Sequence, residues 1–233
     1  LQKVTPMLLL TTLNSQYIHS NLALRYLAGV AEQLQQAYRV MEFTINESPD
    51  HILRTIVGAE PQLMAFSCYI WNIEDTVRVI GNLKKVWPSV TIIVGGPEVS
   101  YDAEAFLEQN PAVDLVIRGE GEKTFEEVLS TWRSGGAWSG IAGLTWRQGE
   151  DIVHNGDRTL IHDLDLIPSA YGLAPQIDGR IVYYETSRGC PFACEFCDVI
   201  NLFGRTPRYK SSSQVVAELA AILDTGHRGS VFF

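Results

Sequence analysis

LMAFSCYIWNIEDTVRVIGNLKKVWPSVTIIVGGPE, residues 63–98, decides the fold. Its two apolar runs, LMAFSCYI (63–70) and VTIIVGGPE (90–98), are too short for helices. They are continuous rather than alternating, which is the pattern of strands buried on both faces. Between them, NIEDTVRVIGNLKKVW (72–87) is a helix that Pro88 ends.

The same alternation runs outward in both directions. MLLLTTL (7–13) is a buried strand, and SNLALRYLAGVAEQLQQ (20–36) is a helix with Leu24, Leu27 and Ala31 near helical spacing. YRVMEFTI (38–45) is a strand. SPDHILRTIVGA (48–59) is a helix with Ser48 at its N-cap and Pro49 at its first position. Downstream come a short helix at 101–109, a strand DLVIRGEG (114–121) and a helix KTFEEVLSTWRSG (123–135). Buried strands alternating with helices give an α/β protein with a doubly wound parallel sheet. Ligands of such sheets bind at the C-terminal ends of the strands. Function is therefore expected at TTLNSQYIHS, SCYIWN, VGGPEVS and RGEGE.

Residues 141–153 read as a hairpin around Gln148-Gly149, and HDLDLIPSAYGLAP (162–175) as a linker. A second unit opens with RIVYYETSRGC (180–190), a strand running into a loop. SSQVVAELAAILDTG (212–226) is a helix, and GSVFF starts another strand. The expected organisation is a first α/β domain over 1–140, a hairpin and linker over 141–179, and the start of a further α/β unit over 180–233.

Of 233 residues, 46% are hydrophobic and 19% charged, which is globular composition. The net charge is −9, with the part before residue 180 acidic and residues 180–233 close to neutral, and an acidic body argues against broad nucleic-acid binding. Runs such as MLLL and LMAF are too short to span a membrane, and no signal peptide is legible. A cytoplasmic protein is expected. The chain lacks an initial Met and stops within an apolar run, so it reads as a piece of a longer protein.

Three of the four cysteines, Cys190, Cys194 and Cys197, fall within eight residues as C-x3-C-x2-C. Four cysteines so placed make no disulfide framework and fit a reducing compartment or a metal site. Structural zinc takes four ligands, usually as two separated pairs, and here Cys68 is remote and no histidine is near. An iron–sulfur cluster fits better: three thiolates on a [4Fe–4S] cube leave one iron open to a ligand. Glycine and proline in RGCPFAC let the loop bend around it, and Phe196 can shield the cluster or stack on a bound ring.

Three cysteines at this spacing, with an aromatic before the last and a strand ahead, resemble the radical S-adenosylmethionine (radical SAM) superfamily. The resemblance implies that Cys190, Cys194 and Cys197 ligate a [4Fe–4S] cluster and that Phe196 lies near the adenine of SAM. It implies reductive cleavage of SAM to a 5′-deoxyadenosyl radical, an electron-donor protein such as a flavodoxin or ferredoxin, and a small-molecule substrate. The unit over 180–233 is then the beginning of a radical SAM barrel.

The domain ahead of it resembles that of the cobalamin-binding subgroup, through Ser67, VGGPE (94–98) and RGEGE (118–122). The resemblance implies that the serine and paired glycines pack along the nucleotide tail of cobalamin, with Gly95, Gly96, Gly119 and Gly121 giving backbone access. Glu98, Glu120 and Glu122 can bond corrin amides or cap helices. The D-x-H-x-x-G motif of many cobalamin domains is absent, so Tyr17, Gln16 or water can face the lower side of cobalt. His19 is either a cobalt ligand or a helix-start residue bonded to its loop, and its spacing favours the second. Trp71 lines the pocket or covers the core, and Cys68 is a buried small hydrophobe. A cobalamin-dependent radical SAM enzyme that methylates an unactivated carbon is the expectation. Ring closure, ring contraction or a non-catalytic sensing module are its alternatives. A methylthiotransferase is set aside, because three further cysteines are missing.

Overall fold

The computed structural model describes residues 7–171 and 179–233. The last part of the expected linker, 172–178, lies outside the described residues. Five parallel strands, β1 (Leu8–Asn14), β2 (Tyr38–Thr44), β3 (Leu63–Ser67), β4 (Thr91–Gly95) and β5 (Leu115–Ile117), form a sheet in the order β2-β1-β3-β4-β5. The hairpin of β6 (Leu144–Gln148) and β7 (Asp151–His154) continues this sheet, with β6 antiparallel to β5. The hairpin is thus hydrogen-bonded into the first unit and does not stand apart as a connector.

Alternate residues of each strand enter two cores. Leu9, Leu13, Met64, Phe66, Ile92, Val94 and Val116 face one side, under α2 (Pro49–Val57), α3 (Ile73–Val86) and α5 (Ala103–Gln109). Leu8, Leu10, Leu63, Ala65, Ile93, Leu115 and Ile117 face the other, under α1 (Leu22–Gln33) and α6 (Gly121–Ser134). Burial on both faces is why these strands are continuous apolar runs.

Local signals set most helix ends. The Asn21 side chain accepts the Leu24 N–H at 3.0 Å and caps α1. Pro49 opens α2, but Ser48 makes no side-chain cap bond. The helix expected at 101–109 is α5, and a further short helix, α4 (Pro97–Ser100), precedes it. The strand expected over 114–121 pairs only at Leu115–Ile117, because Arg118–Glu120 form the turn into α6.

The second unit is smaller. The strand expected over 180–190 is broken into β8 (Val182–Tyr183) and β9 (Ser187–Arg188). β8 pairs in parallel with β11 (Val231–Phe232) across α8 (Ser212–Asp224). β9 pairs antiparallel with β10 (Arg208–Tyr209), and α7 (Val199–Phe203) follows the cysteines. A third core joins the units, with Tyr26 of α1 packed among Leu164, Tyr171, Val182, Tyr184 and Ile222. No helix among the described residues is long and apolar enough to cross a membrane.

Candidate functional site

The strand order reverses between β1 and β3, which opens a crevice at their C-terminal ends. Asn72, buried just before α3, ties its floor. Its amide donates to Thr12 Oγ1 (3.2 Å) and to the carbonyls of Leu13 (3.0 Å) and Ser67 (3.1 Å). Its Oδ1 accepts the Tyr69 N–H at 2.8 Å. Sequence reading missed Asn72, because nothing local tells a buried asparagine from a solvated helix-start residue.

Beside this crevice a cleft of about 290 Å³ runs between α1 and α6, over the ends of β3, β4 and β5. Ser67, Gly95, Gly96, Gly119, Glu120 and Gly121 all line it. Leu22, Ala23, Leu27 and Phe125 make its walls apolar. Arg188 and Phe203 of the second unit close one side.

The glycines are explained unequally. Gly96 sits at φ 116°, ψ 173°, and a Cβ there would lie 2.3 Å from the Cys68 carbonyl oxygen. Backbone crossing backbone requires it, with or without a ligand. Gly119 is left-handed at φ 66°, but a Cβ there meets nothing. Added Cβ atoms at Gly95 and Gly121 would make tight or ordinary contact with Ile117.

Glu120 and Glu122 cap no helix with their side chains and are already engaged. Glu120 accepts bonds from Arg208 at 2.7 and 3.0 Å and from the Ile161 N–H at 2.6 Å. Glu122 accepts from Arg188 at 2.5 and 3.3 Å. Arg188 also donates to Glu185 at 2.9 Å. Burial opposes its charge, but Glu122 and Glu185 outweigh burial and raise the guanidinium pKa. Removing one member of such a buried set costs several kcal/mol, about 3–5 in well-studied cases. Glu98 is exposed at the start of α4.

Other candidates fall outside the cleft. His19 does not line it: its Nδ1 lies 2.6 Å from the Tyr183 hydroxyl, where the β1–α1 loop is stitched to the second unit. Ile181 N–H donates to the Ile18 carbonyl there (2.8 Å), and Arg180 pairs with Glu42 (3.1 Å). The Tyr17 ring lies under the Arg180 guanidinium at 4.7 Å. Tyr69 lines the cleft, and the half-exposed Trp71 stacks on it with ring centroids 4.5 Å apart.

The three clustered cysteines are free thiols on the loop after β9. Gly189 turns the chain into it at φ 90°, where a Cβ would be 2.6 Å from the Thr206 carbonyl oxygen. Among the described residues no three His, Cys, Asp or Glu side chains converge closely enough to hold a metal ion, so the thiols are not gathered here. Phe196 is 93% exposed and away from the cleft lining. Cys68, by contrast, is fully buried, and burial pushes its thiol up to about 12. Brief treatment of the folded protein with iodoacetamide in mildly alkaline buffer should therefore label three cysteines by mass, and four in urea. Labelling of Cys68 in the folded state would contradict its burial.

Two cofactor classes can be tested against these residues. The thiol loop suits an iron–sulfur cluster by donor chemistry: three unpaired thiols and no competing nitrogen ligand in the run. The cleft suits a flat, largely apolar group, and the buried Tyr26 hydroxyl at its wall has no hydrogen-bond partner among the described residues.

Comparisons with known proteins agree with this geometry. The model of the B12 binding domain matches residues 9–129. An uncharacterised methyltransferase of Pyrococcus horikoshii is 30% identical over 207 residues, 86% of this chain and 45% of that protein. The cobalamin-dependent radical SAM methyltransferase TokK of Streptomyces tokunonensis is 32% identical over 187 residues, 75% of this chain and 27% of that protein. The chain thus spans less than half the length of these relatives. The structure of the cobalamin-dependent S-adenosylmethionine radical enzyme OxsB, with aqua-cobalamin and S-adenosylmethionine bound, superposes with a TM-score of 0.77 at 20% identity, over 95% of this chain and 32% of that one. That likeness is one of fold, and it includes both units described above. The chain belongs to the B12-binding domain family.

Proposed function

We propose that this chain is the cofactor-assembling part of a cobalamin-dependent radical SAM enzyme that methylates an unactivated carbon. The observation that carries the reading is the convergence of Ser67, VGGPE and RGEGE on one cleft, closed by the residues that flank the cysteine loop. When bound, the cofactors supply an electron that cleaves SAM reductively to a 5′-deoxyadenosyl radical, and a methyl group.

The chain's own residues hold and shield. The first domain, expected over 1–140, forms the cobalamin unit together with the hairpin of β6 and β7 that extends its sheet, and the rest of the expected linker leads to the start of the barrel at 180–233. Cys190, Cys194 and Cys197 would hold a [4Fe–4S] cluster, which would supply the electron for SAM cleavage, and Phe196 beside the last of them would help bind SAM. Ser67, Gly95, Gly96, Gly119 and Gly121 shape the slot for the nucleotide tail, and apolar walls from α1 and α6 keep water out. Glu120 acts at the seam between the units, since its carboxylate oxygens already accept charged bonds. An external reductant protein and a small-molecule substrate complete the reaction.

The first test is retention of hydroxocobalamin. The whole chain, mixed with excess ligand and passed through a desalting column, should keep about one corrin per chain with a visible spectrum distinct from the free form. A folded protein that retains none would overturn the cobalamin part of the reading.

A further inference from the structure

The two turns that line the cleft also grip the thiol loop, just outside each of its ends. Arg188, two residues before Cys190, is held by both oxygens of Glu122 and lies 3.5 Å from Glu120. Asp198, the residue after Cys197, accepts the Tyr101 hydroxyl at 2.5 Å, and Tyr101 follows the VGGPE turn. Arg208 then brings the returning strand to Glu120 through two parallel bonds. Two-pronged arginine–carboxylate pairs fix direction as well as distance, and buried ones are little screened by salt. The loop has few other holds: Cys194, Phe192 and Phe196 are all exposed.

We propose that Tyr101, Glu120 and Glu122 are positioning residues that seat the thiol loop against the cleft, through Asp198, Arg208 and Arg188. The same short turns then bear on both sites. A ligand that orders the RGEGE turn orders the loop, and reciprocally. The identity of the two ligands rests on the function proposed above; the grip itself does not.

Amide hydrogen exchange on the whole chain tests it, with Glu122→Gln, Tyr101→Phe and the double variant Glu120→Gln/Arg208→Gln. Glu122→Gln keeps shape and leaves Arg188 paired with Glu185, and Tyr101 is half exposed, so both single variants should fold. Loss of a charged hydrogen bond should speed exchange across 189–207 by about tenfold or more. Amides of β1–β4 should not change. Unchanged loop exchange in all three variants, or an equal rise throughout the sheet, would overturn the grip. Repeating the measurement with hydroxocobalamin should slow loop exchange in the unaltered chain and not in Glu122→Gln. Corrin retention with no effect on the loop would overturn the coupling. Failure to retain corrin would count against the proposed function, while the unliganded comparison still decides the grip.

Discussion

Replacement of Cys194 by alanine is expected to leave the protein folded and without a cluster. The side chain is exposed and makes no contact with any of the three cores, so its loss removes almost no buried surface. Yet a cube held by three thiolates on one short loop has no spare protein ligand. Cys68 cannot substitute, because it is buried at the end of β3, far in sequence and enclosed in the first core. After anaerobic treatment with iron and sulfide, the unaltered chain should bind about four irons and show broad visible absorbance. In Cys194→Ala both should fall to background while the circular dichroism spectrum stays the same. A full complement of iron in the variant would sink the ligand assignment.

Gly96→Ala should have the largest effect on stability. Its φ of 116° with ψ of 173° lies in a region that essentially only glycine occupies. The new Cβ would also meet the Cys68 carbonyl oxygen at 2.3 Å and its nitrogen at 3.1 Å. Neither is the far end of a flexible side chain, so relief needs β3 and β4 to separate. The Cys68 N–H donates to the Gly95 carbonyl at 2.7 Å, and that bond would be disturbed with them. Strain and overpacking together predict a loss of roughly 3 kcal/mol or more. Gly119→Ala is the control: its left-handed φ costs about 1 kcal/mol, and a Cβ there meets nothing within 4 Å. Urea midpoints for the two variants should differ clearly and in that order. Equal midpoints would show that the Gly96 crossing is not as tight as described.

These two positions mark different kinds of legibility. Cys194 stands out in the sequence as one of three thiols within eight residues, the spacing on which the proposed cluster rests. Gly96 was also visible as a glycine at the end of a buried strand, but the reason assigned to it was access for a ligand. The stronger reason is a close crossing of two backbone segments, which no spacing rule contains.

Continuous apolar runs, a helix between successive parallel strands and glycines where strands end were enough to determine a doubly wound sheet and the end of it at which such sheets bind ligands. Those features are local, since burial on both faces dictates composition strand by strand. The thiol spacing was equally local. What only the tertiary structure decided is partnership. Glu120 and Glu122 read as residues that bond corrin amides or cap helices, yet they pair with Arg208 and Arg188, which lie 88 and 66 residues away. His19 read as a loop residue or a metal ligand, yet it meets Tyr183 across the junction of the two units. The hairpin expected over 141–153 was set outside the first domain, yet β6 is hydrogen-bonded to β5. Each outcome depends on which distant segment comes to lie alongside. A buried charge must find its opposite wherever the fold brings one, and a strand must pair with whatever edge is open.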